Sequence, residues 1–170
     1  MHDNVVSKLA PRPVAPQTFR SVMGSFPTGV TVITTISGSG DPVGMTVNAI
    51  TSVSLDPPQL LICLAKSRYT AAAIQFLGKF AVNFLSDDQK DVASIFASNG
   101  DEKFSAVRTQ IGEQGLPLIS GSLAQAECEV IRIIESGDHL IFIGEVISGT
   151  SHDGMPLVFF RRNYGAWTAA

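Results

Sequence analysis

The amino-acid sequence predicts a mainly β fold, an antiparallel barrel or sandwich carrying a few short helices, and three observations lead there. Short stretches dense in β-branched and aromatic residues recur along the chain, separated by clusters of Gly, Pro, Asp and Ser. Tight turns join many of these strands and the helical stretches are few and short, which indicates an antiparallel arrangement rather than a parallel α/β sheet. No G-x-G-x-x-G follows a strand pattern, so the dinucleotide site of a doubly wound sheet is not supported.

The elements follow in order. Residues 1–16 contain Pro11, Pro13 and Pro16 among scattered polar groups, have no sustained period, and read as an arm; residues 17–170 form the folded domain. In residues 17–25, Phe19, Val22 and Met23 share one helical face and Pro27 ends the helix. Residues 30–36 are rich in β-branched side chains, and the cluster at residues 37–42 turns the chain into a second strand at 43–47. Residues 50–55 alternate as a strand, Asp56-Pro57-Pro58 breaks it, and residues 60–64 resume as a buried strand. Ser67 or Thr70 caps a helix over 71–77 that stops at Gly78, and residues 80–85 return to strand. Residues 87–97 place Val92, Ile95 and Phe96 on one helical face with Asp87 or Asp88 at the start. Residues 99–122 lose the pattern, a loop length that points to a binding role or a lid, with Lys103 and Phe104 as its notable groups. Residues 124–134 and 140–147 form a long hairpin around Glu135-Ser136-Gly137-Asp138, and 157–160 is the last strand.

Composition narrows the function. The chain has 170 residues, enough for one domain with a substantial core, and 45% are apolar against 16% charged. So little charge leaves apolar surface to be covered by another subunit, and a homo-oligomer is expected. The longest apolar runs are strand-length, well below the roughly 18 residues of a membrane span, and no basic-then-apolar leader is visible; a cytoplasmic location without membrane contact is expected. A net charge of −3 without a basic cluster argues against nucleic acid. Cys63 and Cys128 lie in apolar strand patterns, and His2, His139 and His152 are scattered, so neither a disulfide framework nor a metal site is expected. A small-molecule ligand remains.

Residues 44–70 hold the densest set of candidates. Met45, Thr46, Val47 and Asn48 end a strand where backbone amides and two polar side chains can meet the edge of a heteroaromatic ring such as isoalloxazine; a polar strand end fits the same residues. Ser52 and Ser54 flank Val53 and fall on one side of an extended strand, where they can line a ribityl chain or simply a half-exposed face. Cys63, Leu64 and Ala65 run into a helix start carrying Lys66, Ser67, Arg68 and Thr70, a geometry suited to phosphate and equally to a plain N-cap. Cys63 has no base near it in sequence and reads as a buried structural thiol. His139 stands at a strand entrance beside a turn, able to reach a ligand or to serve the hairpin alone.

The motifs at residues 26–32, 44–48, 52–58 and 137–139, with the strand 80–85 and the stretch 156–164, together resemble the short-chain NAD(P)H:flavin oxidoreductases, the reductase components of two-component flavin monooxygenases. The resemblance implies a split β-barrel of the FMN-binding, Greek-key-like antiparallel type. It also implies a homodimer with flavin near the interface, reduction of FMN or FAD by NADH or NADPH, and a monooxygenase that receives the reduced flavin by diffusion. It implies flavin or nicotinamide contacts at Thr28, Met45 to Asn48, Ser52 to Ser54, Cys63 to Ala65, Asn83, Lys103 and Phe104, and phosphate at Ser67 and Thr70. It puts His139 in the catalytic role, orienting the nicotinamide for hydride transfer, with Tyr164 nearby. Ala49 departs from the family pattern, in which Ser often follows the Asn. Two other readings stay open: a flavin-binding electron carrier of the same fold without catalysis, and an oxidase of pyridoxine-type substrates.

Overall fold

The computed structural model describes residues 12–100 and 102–168. Most of the expected arm lies outside the described residues; residues 12–15 are exposed without regular structure, and Pro16 already opens the first helix. The elements in chain order are α1 (Pro16–Met23), β1 (Thr28–Gly29), β2 (Thr31–Ile36), β3 (Pro42–Val47), β4 (Ile50–Leu55), β5 (Pro58–Ala65), α2 (Tyr69–Leu77), β6 (Lys79–Phe84), α3 (Lys90–Ala97), β7 (Thr109–Ile111), β8 (Pro117–Ile119), β9 (Ala124–Ser136), β10 (His139–Ser151), β11 (Leu157–Phe160) and β12 (Asn163–Ala166). The predicted mainly β, antiparallel architecture is present, with three helices among the described residues.

Seven strands form one antiparallel sheet in the order β3-β2-β6-β9-β10-β5-β4. Its pleat sends successive side chains of β2 to opposite faces: Ile33 joins a core with Ile62, Ile74, Phe80 and Phe142, while Val32 joins a second core with Leu85, Phe96 and Leu157. Because both faces of β2 are covered, its sequence reads as an unbroken run of β-branched residues rather than an alternation. The threonines in that run bury their hydroxyls by donating to backbone carbonyls, Thr31 to Val47 and Thr35 to Lys79. The first core draws on β2, β3, β5, β6, β9, β10 and α2, so the sheet curls around it and brings β3 back against β5.

Several boundaries differ from the sequence-based expectation. The first helix ends at Met23 and Gly24 rather than at Pro27, and α1 buries none of its residues, so Phe19, Val22 and Met23 form an exposed apolar face. The third helix begins at Lys90 after Gln89, because Asp88 instead accepts a hydrogen bond from the Ser86 hydroxyl in the preceding turn. A strand beyond residues 157–160, β12, completes a small sheet of order β1-β11-β12.

Residues 99–122 are not wholly irregular, since they contain the β7–β8 hairpin. Strand β8 lies buried against β2 and β6 without joining their sheet, so its backbone polar groups need side-chain partners. Thr34 donates its hydroxyl to the Pro117 carbonyl, Asn83 accepts the Ile119 N–H at 2.7 Å, and Gln125 donates to the Ile119 carbonyl at 2.6 Å. Glu127 extends the series by accepting the Gln114 N–H at 2.9 Å. Four buried polar side chains on adjacent strands thus anchor the excursion.

Candidate functional site

A cleft of about 500 Å³ opens between β3, the start of α2 and the end of α3. Its apolar walls come from Met45, Phe96 and Phe104, the last two packed edge to face with centroids 5.1 Å apart. Polar groups come from Thr46, Arg68, Thr70, Asn99 and Lys103. Gly44 belongs at this wall for a steric reason: a Cβ there would stand 2.9 Å from the Phe96 ring and 3.0 Å from the Ile33 carbonyl oxygen.

The elements fix these groups. Thr46 donates its hydroxyl to the Ala93 carbonyl at 2.6 Å, tying β3 to α3. Arg68 donates to Asn99 Oδ1 at 3.2 Å and so bridges the start of α2 to the segment after α3. Lys103 donates to the carbonyls of Gly44 and Phe96, closing the loop over the cleft. Arg68 is the N-cap of α2 and neither Ser67 nor Thr70 caps it through a side-chain hydrogen bond, which corrects the capping expectation. Thr70 is buried and lines the cleft, whereas Ser67 is exposed in the preceding turn.

The remaining predicted residues form two further groups. Thr28, Asn48 and Tyr164 gather at the small sheet: Asn48 Nδ2 donates to Thr28 Oγ1 at 3.3 Å, and Phe159 pairs with Thr28 on one side and Tyr164 on the other. Burial pushes the Tyr164 hydroxyl above its ordinary pKa. The second group is the end of β4, β5 and β10. His139 lies opposite Ala65, and Ile141 opposite Cys63, so the strand leading into α2 and the proposed catalytic histidine meet at one end of two neighbouring interior strands. The exposed His139 ring pairs through Nδ1 with Asp138 Oδ1 at 2.7 Å, and this contact holds the Asp138 carboxyl below the usual carboxylate range.

Some assignments change. Asn83 is fully buried and its amide is spent on Val32, Thr34, Ile119 and Gln125, so it serves the core and not a ligand. Val47 and Leu64 point their side chains into the first core, leaving only backbone groups for binding. A register shift between Ser52 and Ser54 breaks the alternation that put both hydroxyls on one side, and Val53 is exposed on that edge strand. Cys63 is half-buried rather than buried, with its thiol pKa raised by desolvation. Arg68, Phe96 and Asn99 join the cleft from elements distant in sequence, and only the cation of Arg68 gave any local signal.

Known proteins resemble this chain over most of its length. The family described as Flavin reductase like domain matches residues 23–168. A relative from Rhizobium meliloti (strain 1021) named "Probable flavin reductase" is 47% identical over 131 residues, 77% of this chain, which spans only 42% of that protein's length. The reductase subunit HsaB of a flavin-dependent monooxygenase from Mycobacterium tuberculosis (strain CDC 1551 / Oshkosh) is 40% identical over 154 residues, 89% of this chain and 82% of that one. Among solved structures, the NADH:FAD oxidoreductase SgcE6 of Streptomyces globisporus C-1027, in complex with NAD and FAD fragments, superposes with a TM-score of 0.83. It is 41% identical, over 93% of this chain and 98% of that one.

Proposed function

This chain belongs to the flavin reductase-like family, and on that premise we propose that it is an NAD(P)H-dependent flavin reductase that supplies reduced FMN or FAD to a partner monooxygenase. The observation that carries this reading is the cleft, with apolar walls at Met45 and Phe104 and polar groups at Thr46, Arg68 and Thr70. Its volume of about 500 Å³ falls within the range of small-molecule sites. An isoalloxazine face suits the apolar walls, and a phosphate suits the guanidinium of Arg68, the Thr70 hydroxyl and the first amides of α2. When bound, flavin supplies the hydride acceptor for the nicotinamide cofactor.

The chain's own contribution is binding and orientation, and no side-chain nucleophile enters the reaction. Met45 to Asn48 and Thr28 serve the ring edge, Ser52 to Ser54 the ribityl chain, and Thr70 with Ser67 the phosphate. His139 acts on the nicotinamide side, where Asp138 engages Nδ1, fixing the ring and leaving Nε2 for the ligand. The curled sheet is read as a split barrel. The edge strand β4 exposes Val53 and Leu55, and the distal half of β9 exposes Ile131, Ile133 and Ile134, which supports a homodimer that covers them and completes the flavin site. Residues 17–170 are the reductase domain. A cytoplasmic location accords with its free thiols and its need for reduced nicotinamide cofactor.

Calorimetric titration with FMN, FAD and riboflavin tests the cleft. A charge-assisted hydrogen bond to phosphate is worth about 1.5–3 kcal/mol, so FMN should bind roughly tenfold or more tighter than riboflavin. Arg68→Ala should remove most of that difference. Equal affinity for all three flavins in the unaltered protein would contradict the assignment.

A further inference from the structure

The hairpin joining β11 to β12 turns on Arg161 and Arg162, with φ of 46° and 67°. They are the two non-glycine residues with positive φ among the described residues. Two-residue hairpin loops that hold both central residues in this region are built from Asn-Gly, Asp-Gly or Gly-Gly, because a Cβ is disfavoured there. Two consecutive long cations are the opposite choice, and such strain is typically kept where it serves a ligand.

No side-chain ion pair among the described residues accounts for the two cations. Neither arginine forms a salt bridge with a carboxylate of the described residues, and Arg161 lies over the Phe160 ring at 5.1 Å. The backbone of the turn is nonetheless fixed. The Arg161 N–H donates to the Gly24 carbonyl at 3.3 Å, Asn163 Nδ2 donates to the Arg161 carbonyl at 3.0 Å, and Phe160 pairs with Asn163. Two exposed guanidinium groups therefore stand on a short ordered hairpin. The same small sheet carries Tyr164 and Thr28, with Asn48 bonded to Thr28.

We propose that Arg161 and Arg162 clamp the phosphate oxygens of the nicotinamide dinucleotide. This inference rests on the flavin reductase reading. Guanidinium groups match phosphate through paired N–H donors, and the stack of Arg161 on Phe160 leaves its N–H edge available. The flavin phosphate has its own donors, Arg68 and Thr70, in the cleft, so the second cationic site is assigned to the second phosphate-bearing substrate.

The test is a double variant, Arg161→Asn with Arg162→Gly, which gives the turn the residues its backbone favours. Its thermal midpoint should equal or exceed that of the unaltered protein, while KM for NADH rises about tenfold and flavin Kd stays within about twofold. With reduced nicotinamide riboside, which has no phosphate, the two proteins should have the same KM. Added salt should raise KM for NADH in the unaltered protein and much less in the variant. Arg162→Gly alone provides a milder variant with the same direction of change. An unchanged KM for NADH in either folded variant overturns the clamp, as does an equal rise with the riboside. A loss of flavin affinity instead would assign the turn to the flavin phosphate and also overturn it. Failure of the unaltered protein to oxidise either NADH or NADPH would be a failure of the reductase reading itself.

Discussion

Glu127 is buried, and its carboxylate meets donors rather than a cation: the Gln114 N–H at 2.9 Å and the Ser148 hydroxyl at 2.9 Å. Gly112 must lack a side chain beside it, since a Cβ there would lie 2.5 Å from the carboxylate. Glu127→Ala leaves those donors without their partner and should lower stability by about 1–3 kcal/mol in urea unfolding. Gly112→Ala should also destabilise, by displacing the same carboxylate; wild-type midpoints for both would refute the anchoring role. The same glutamate acts on its neighbour. Burial first, and the charge of Glu127 second, push the Cys128 thiol up to about 12 from 9.0. Unfolding lets that thiol ionise near 9.0, so the folded state, which holds the proton to about 12, loses stability as pH rises between those values. Iodoacetamide should modify half-buried Cys63 well before Cys128, and the urea midpoint should fall from about pH 9 upward.

At the scale of elements, the excursion over residues 99–122 matters because it carries Lys103 and Phe104 to the cleft while its β8 strand is anchored to the sheet. Asn83→Ala removes the acceptor of the Ile119 N–H and should cost about 1–3 kcal/mol. It should also weaken flavin binding through the loosened loop; unchanged flavin affinity in a destabilised variant would show that β8 and the cleft are uncoupled. Phe80→Ala, in the first core, should cost about 3–5 kcal/mol without that selective effect on binding. The contrast also explains what the sequence could reveal. Strands β2 to β6 and the β9–β10 hairpin were legible because β-branched runs and turn residues act locally. The β7–β8 hairpin was not, since its three-residue strands are held by Thr34, Asn83, Gln125 and Glu127 on other elements. Asn83, which the family resemblance put against a ligand, is taken up by that hairpin instead, and the bulge at Val53 was invisible because alternation assumes an unbroken register. The cleft was half legible: Thr46 and Thr70 stand in recognisable motifs, but Phe96 and Asn99 reach it only through tertiary packing.

At the scale of the whole molecule, apolar side chains are exposed on α1, β4 and the end of β9, and these are the surfaces that the proposed homodimer would cover. Light scattering should give twice the chain mass of 18.0 kDa, and Leu55→Glu, at a position 92% exposed, should shift the population toward monomer. A wild-type monomer would contradict the homodimer. His139, paired with Asp138 at the start of the interior strand β10, is the residue proposed to serve the nicotinamide side of flavin reduction. His139→Ala should slow flavin reduction at least tenfold while leaving flavin affinity within about threefold; an unchanged rate would remove it from the mechanism. The central claim is that the protein transfers a hydride from a nicotinamide cofactor to flavin, and loss of the nicotinamide absorbance band with FMN or FAD present tests it most directly. Oxidation of NADH or NADPH that requires both protein and flavin is the predicted result. Flavin that the protein binds but neither cofactor reduces would contradict the account.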